Sequence, residues 1–180
     1  MKLMIASDLH GSARWTAALL EAYRAEAPDQ LLLLGDLLYH GPRNDLPDEY
    51  DPRAVLAMLN GVADDLLCVR GNCDAEVDQM VLDFPILADY AVFWWAGRRI
   101  YATHGHHFGE ENPPKLRQGD ILLCGHTHVP RCADHGTFTY WNPGSVSIPK
   151  EASCRGYLLL DDTAARWKAL DGSVWMEHRL

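Results

Sequence analysis

Aspartate, asparagine and histidine recur in this sequence just after short apolar runs, a placement that suits metal-ion chemistry. Asp8 and His10 follow Leu3–Ala6, Asp36 follows four leucines and a glycine, and Asn72 follows Leu66–Val69. His104 follows Ile100–Thr103, and His126 and His128 follow Ile121–Cys124. Asp8 and His10 are two apart, as are His126 and His128, so in extended backbone each pair projects to one side. Carboxylate, amide oxygen and imidazole together suit ions such as manganese, iron or zinc, and the set needs no thiolate. One tetrahedral zinc takes about four ligands, so these seven groups suggest two divalent ions sharing a bridging carboxylate. Asp36 is the natural bridge. Each signal is weak alone: the Asp-x-His spacing is common, and Asp36 read singly could equally be a loop carboxylate capping the next helix. The recurrence carries the reading.

The elements that must position these groups are legible from the apolar runs. Gln30-Leu31-Leu32-Leu33-Leu34 is too short for an independent helix and has no helical period, so it reads as a strand buried on both faces. Ligands usually sit at the carboxyl end of such a strand, and Gly35 lets the backbone turn there. Ser12 reads as an N-cap, followed by a helix with Trp15, Ala18, Leu19, Ala22 and Tyr23 on its packing face and Pro28 after its end. Asp51-Pro52 opens a second helix with Val55, Leu56, Leu59 and Val62 as its buried stripe. Glu76–Leu82 reads as a short helix, and Ala96-Gly97-Arg98-Arg99 as a hairpin turn between Ala91–Trp95 and Ile100–Thr103. The first half is βαβ-like and the second β-rich. No linker, repeat or low-complexity segment interrupts residues 1–180, so a single domain is expected.

Composition excludes several classes. The formal charge of −9 argues against binding nucleic acid by general electrostatics, but not against a small phosphorylated substrate whose charge bound cations would meet. The five cysteines, Cys68, Cys73, Cys124, Cys132 and Cys154, are odd in number and lack CxxC spacing. They fit free thiols in a reducing cytoplasm better than a disulfide framework or a zinc ribbon. Met1–Ala6 reaches Ser7-Asp8 too soon for a signal peptide, and no apolar run approaches membrane-spanning length, so no membrane partner is expected. Trp94, Trp95, Trp141, Trp167 and Trp175 lie in strand-like runs and read as core or subunit contacts. With exposed strands, they are compatible with a homo-oligomer, dimer or tetramer.

Asp8-x-His10, Gly35-Asp36, Gly71-Asn72-x-Asp74, His104-Gly105-His106 and Gly125-His126-x-His128 resemble, in order, the motifs of the calcineurin-like metallophosphoesterases. Gly41-Pro42-Arg43-Asn44, Arg70-Gly71-Asn72-Cys73-Asp74 and Asn142-Pro143-Gly144-Ser145-Val146-Ser147 look like the small bacterial YfcE-type phosphodiesterases of that family. The resemblance implies an α/β (α+β) fold: a four-layer αββα sandwich, two mixed sheets face to face with helices outside and metals at one rim. It implies one ion held by Asp8, His10, Asp36 and His128, and another by Asp36, Asn72, His104 and His126. Manganese is the expected pair of ions, with zinc or iron as alternatives. A hydroxide between them would attack phosphorus in line with the departing oxygen.

One position departs from the wider family, which has histidine where this chain has Cys73. That imidazole, oriented by the following acid, would protonate the leaving oxygen or bind phosphate. Cys73 with Asp74 is a poor substitute, because a thiol is a weak donor. Leaving-group protonation is then weak and aryl diesters are favoured, unless Cys73 only packs and Asp74 only caps a helix. His40, Arg43 and Asn44 are candidate substrate contacts or a solvated loop, and His106 lies beside the ligands or near the phosphate. His107, His135 and His178 read as ordinary loop histidines. The expected activity is hydrolysis of a small organic phosphodiester. A phosphomonoesterase on the same site is the enzymatic alternative. A scaffold is the alternative from another class, since a retromer coat subunit shares the fold with a degraded site; the intact ligand set argues against it.

Overall fold

The computed structural model describes residues 1–180. Its strands are β1 (Leu3–Ala6), β2 (Gln30–Leu33), β3 (Leu66–Cys68), β4 (Tyr90–Trp95), β5 (Arg98–Thr103), β6 (Asp120–Leu123), β7 (Arg131–Asp134), β8 (Phe138–Asn142), β9 (Gly156–Leu160), β10 (Ala164–Ala169) and β11 (Val174–Arg179). The helices are α1 (Ala13–Glu26), α2 (Pro52–Asn60) and α3 (Glu76–Gln79). Six strands form one sheet in the order β11-β10-β9-β1-β2-β3, and five form the other, β4-β5-β6-β8-β7. Both are mixed. β1, β2 and β3 run parallel while β9 pairs antiparallel to β1, and β6 runs parallel to β5 and β8.

The sheets pack face to face over one apolar layer. Leu3, Ile5, Leu32, Leu34, Leu158 and Leu160 meet Ile100, Ile121, Leu123 and Trp141. Alternate residues of the same strands, Met4, Leu31, Leu33 and Leu159, face the other way and pack under the helices with Leu19, Leu20, Val55 and Leu59. This explains the leucine run: β2 is covered on both sides, and each buried leucine contributes about 1.5–3 kcal/mol. The outer face of the five-stranded sheet, Leu122, Cys124, Phe138 and Tyr140, is covered instead by an irregular segment, with Leu116 packed on it and the Tyr101 and Phe108 rings edge to face.

The caps are as the sequence reads. Ser12 Oγ accepts from the Trp15 N–H at 3.3 Å, and Asp51 Oδ1 accepts from the Arg53 and Ala54 N–H groups at 3.1 Å. Four details differ. On α1, Thr16 and Leu20 are buried with Leu19 and Ala22, while Trp15 sits at the rim under the Arg155 guanidinium, 4.2 Å above its ring. α3 stops at Gln79, whose side chain binds the Phe84 carbonyl at 3.0 Å and the Ile86 N–H at 2.8 Å, pulling the chain out of the helix. The hairpin turn is Ala96-Gly97 alone, because Arg98 and Arg99 already pair with Trp95 and Trp94. His178 is not in a loop; it lies in β11, opposite Ala165.

Candidate metal centre

All the chemistry-bearing groups leave the carboxyl ends of β1, β2, β3, β5 and β6, where the two sheets share a rim. The two-apart spacing works there by a different route from the one the sequence suggested. Asp8 and His10 are not extended: their φ angles are +60° and +48°. Asp36, His126 and His128 are also left-handed, at +57°, +66° and +63°. Non-glycine residues adopt this region at a cost of about 1–3 kcal/mol and concentrate at functional sites. The loops carrying them approach too closely for side chains. A Cβ on Gly71 would overlap Asp36 and come 2.9 Å from its Cγ, and one on Gly125 would lie 2.9 Å from Asp8 Oδ2.

Side-chain hydrogen bonds to backbone carbonyls hold the strained loops. The Ser145 and Ser147 hydroxyls donate to the Asp8 carbonyl at 2.8 and 3.0 Å, and Asn142 Nδ2 donates to the Gly125 carbonyl at 2.7 Å. The Asn142–Ser147 motif therefore supports the loops that carry Asp8 and His126. Asp74 does the same from the other side. It is 3 % exposed, accepts the N–H groups of Asp36 and Gly71 on Oδ2 and of Leu37 on Oδ1, and caps no helix.

Each carboxylate has one oxygen tied and one free. Asp8 Oδ2 accepts from the His126 N–H at 3.0 Å, and Asp36 Oδ1 from the Cys73 N–H at 2.8 Å. Asp8 Oδ1 is buried without a hydrogen-bond partner. Three imidazoles are oriented alike: the Nδ1 atoms of His10, His104 and His128 lie 2.9, 2.7 and 2.9 Å from the carbonyls of Tyr39, Leu34 and Ile148. A carbonyl only accepts, so each Nδ1 carries the proton and each Nε2 of a neutral ring is a lone pair aimed at the centre. His10 Nε2 and His128 Nε2 are 3.2 Å apart, His128 Nε2 and Asp8 Oδ1 3.2 Å, and His10 Nε2 and Asp36 Oδ2 3.6 Å. On the other side of Asp36, His104 Nε2 lies 3.4 Å from Asp36 Oδ2, 3.1 Å from Asn72 Oδ1 and 3.2 Å from His126 Nδ1. Two atoms each about 2.1 Å from a common tetrahedral ion stand about 3.4 Å apart. Acceptors converging at that spacing are the chemistry of a cation cage, and the residues present fit divalent metal ions.

The rim opens into a cavity of about 430 Å³ lined by Asp36, Asn72, Cys73, His126 and His128, with Gly41, Pro42, Arg43, Asn44, Thr127 and Lys150. The structure thus brings Arg43, Asn44 and Cys73 to the same rim as Asp36, Asn72, His126 and His128. His40 is not among the lining residues; its ring packs edge to face between Tyr39 and Tyr50. His106 stands behind the rim, its ring centroid 5.4 Å from that of His104, and lines a separate groove with His107, Glu110 and Glu111. His135 is engaged by Glu110 at 2.9 Å.

The model of the calcineurin-like phosphoesterase superfamily domain matches residues 1–164. This chain belongs to the calcineurin-like phosphoesterases. Phosphodiesterase YfcE of Escherichia coli strain K12 is 49% identical over 162 residues, 90% of this chain and 88% of that protein. The probable metallophosphoesterase YsnB of Bacillus subtilis strain 168 is 24% identical over 170 residues, 89% of this chain and 83% of that protein. The solved structure of the E. coli phosphoesterase Yfce matches with a TM-score of 0.95 at 47% identity, covering 99% of this chain and 98% of that one. Vacuolar protein sorting 29 of Cryptosporidium parvum covers 99% of this chain and 97% of its own at TM-score 0.64 and 16% identity, a likeness of fold alone.

The electrostatics of the phosphoesterase centre follow from its geometry. Burial would raise the Asp8 carboxyl, but the imidazoles of His10 and His128 hold it well below the usual range. Burial opposes His104 too, yet Asp36 and Asp8 push it up to about 9. A proton between acid and imidazole does in part what a cation would do. His106 has no such partner, and burial with the neighbouring His104 takes it down to about 4. Burial, then Asp36, pushes the Cys73 thiol up to about 12.

Lys150 and Thr127 were not singled out by sequence reasoning. Thr127 sits between His126 and His128 and was within reach of the motif. Lys150 follows Pro149 in an unpatterned loop, and nothing local in the sequence marks it.

Proposed function

We propose that this phosphoesterase hydrolyses a small organic phosphodiester with two divalent ions, manganese first among the candidates with zinc or iron as alternatives. Asp8, His10, Asp36 and His128 would hold one ion, and Asp36, Asn72, His104 and His126 the other. The observation that carries this is the convergence of ligand-type nitrogen and oxygen atoms, above all the His10–His128 contact and the unpartnered Asp8 Oδ1. Neither sheet holds a complete set, since Asp8, His10, Asp36 and Asn72 leave one and His104, His126 and His128 the other. That supports one functional domain over residues 1–180.

When bound, the ions lower the pKa of water and neutralise phosphoryl charge. The chain does the rest. Asp74 fixes the loops of Asp36 and Asn72 by three amide hydrogen bonds and so acts as a positioning residue. Asn44 is braced by the His40 carbonyl at 2.8 Å and, with Arg43, faces the substrate from the loop after β2. In the metal-free protein burial, then Asp36, holds the Cys73 thiol up, and Asn72 Nδ2 lies 3.2 Å from its sulfur. A thiol is a weak hydrogen-bond donor and gives the leaving oxygen little help, so esters with good leaving groups would turn over fastest. Five free thiols support a cytoplasmic setting, and Tyr90, Val92 and Trp94, exposed along the edge strand β4, support a homo-oligomer.

The test is metal content and activity on bis(4-nitrophenyl) phosphate of the purified protein, before and after chelation and after return of manganese. Loss and recovery together support the reading. Undiminished hydrolysis after complete chelation contradicts it.

A further inference from the structure

We propose that Arg43 and Lys150 select diesters bearing an additional anionic group, phosphate or carboxylate, on one arm; this rests on the phosphodiesterase reading of the same cavity. The two cations reach the cavity from different parts of the chain, Arg43 from the loop after β2 and Lys150 from the loop after β8. The Arg43 loop lies over Cys73, since a Cβ on Gly41 would be 3.2 Å from its sulfur. Lys150 is anchored on the other side. Its N–H donates to the His128 carbonyl at 3.1 Å, and its own carbonyl accepts from the Ser153 N–H at 3.0 Å and hydroxyl at 2.6 Å. Its backbone is therefore fixed relative to a metal ligand while its ammonium is free.

Neither charge is spent inside the protein. Lys168 is paired with Glu26, Arg99 with Asp120, Arg131 with Glu110, and Arg166 with Asp161 and Glu177, whereas no carboxylate or carbonyl of the chain engages the Arg43 guanidinium or the Lys150 ammonium. In a chain of net charge −9, the cavity lining sets two unpaired cations, Arg43 and Lys150, against one carboxylate, Asp36, a local excess of positive charge. The metal ions do not need it met by a simple diester. Two divalent ions held there would have their charge met by the carboxylates of Asp8 and Asp36, a hydroxide and the single charge of the diester. A diester with uncharged arms leaves Arg43 and Lys150 without an anion; a second anionic group supplies one, and charge-assisted hydrogen bonds form to it. A cavity of about 430 Å³ has room for such an arm.

The experiment compares two esters that share nucleoside and leaving group: thymidine 5′-(4-nitrophenyl phosphate) and the same compound with a 3′-phosphate. With manganese-loaded protein the 3′-phosphorylated ester is expected to have about tenfold higher kcat/KM or more. Lys150→Ala and Arg43→Ala should each draw that ratio toward one, while Lys115→Ala, on an exposed loop, leaves it unchanged. Calorimetry adds a readout without turnover: thymidine 3′,5′-bisphosphate should bind about tenfold tighter than thymidine 5′-monophosphate, with the preference lost in both variants. A ratio of one in the parent protein, or a preference that survives both substitutions, overturns the proposal. So does the same Lys150-dependent preference for 4-nitrophenyl phosphate, whose extra charge is on the phosphoryl group. Failure to hydrolyse either diester would sink the phosphodiesterase reading, and calorimetry would then decide this one alone.

Discussion

His10 and His128 aim their Nε2 atoms at each other across 3.2 Å, each with its Nδ1 proton committed to a backbone carbonyl. Residues 118 apart in sequence and from different sheets are thus fixed in an arrangement that repels unless a cation or a proton lies between them. The loops are built to hold that repulsion, and several consequences can be measured.

Gly71→Ala tests the close approach of loops. Its methyl would overlap Asp36, the residue proposed to bridge the two ions. Such overpacking costs about 1–3 kcal/mol, and Asp36 has to move. Urea denaturation should show that loss, and bound metal per chain should fall. Parent stability and full metal content would contradict the account.

Ser145→Ala and Ser147→Ala test the support of Asp8. Ser147 Oγ makes one hydrogen bond, to the Asp8 carbonyl; Ser145 Oγ also accepts from the Ser147 and Ile148 N–H groups. Leaving such groups unpaired costs about 1–3 kcal/mol, so Ser145→Ala should be the more destabilising. Losing an outer support typically lowers metal affinity about 10–100-fold. Titration with manganese should show the double variant weakest.

The role proposed for Cys73 can be read from the leaving group. With chemistry rate-limiting, a series of diesters graded in leaving-group pKa should slow steeply as that pKa rises. Cys73→His should flatten the slope, because an imidazolium can donate the proton a neutral thiol withholds. Equal rates along the series for the parent protein would remove the idea.

Arg99 and Asp120 set an acid limit to stability. Burial would raise the Asp120 carboxyl, but Arg99, with Nε 3.1 Å from Oδ2, and the Arg117 N–H hold it below 3.8. A folded value below the unfolded one means stability is fully present above the unfolded pKa, and is lost as pH falls through the folded value. Asp120→Asn should flatten the fall in Tm below about pH 4. An unchanged acid slope would show that the pair contributes nothing.

Much of this was legible in the sequence, for physical reasons. The leucines of β2 announce a strand covered on both faces, Ser12 and Asp51 are caps with few alternatives, and all seven ligand candidates converge at the sheet rim. The geometry of convergence was not legible. Alternation along a strand places Asp8 and His10 together only if the backbone stays extended, and it turns left-handed instead. Gln79 ends α3 through bonds to residues beyond it, which no local propensity contains. Asp74 looked like a partner for Cys73, and only the folded loops show its oxygens occupied by three amides. Lys150 matters through a cavity that exists only once β2 and β8 are neighbours of the same rim.

The most direct test of the central claim is anomalous X-ray scattering from crystals loaded with manganese. The account predicts two peaks per chain, one on each side of the Asp36 carboxylate, the first beside Asp8, His10 and His128 and the second beside Asn72, His104 and His126. No peak at this rim, or metal bound only elsewhere, would contradict it.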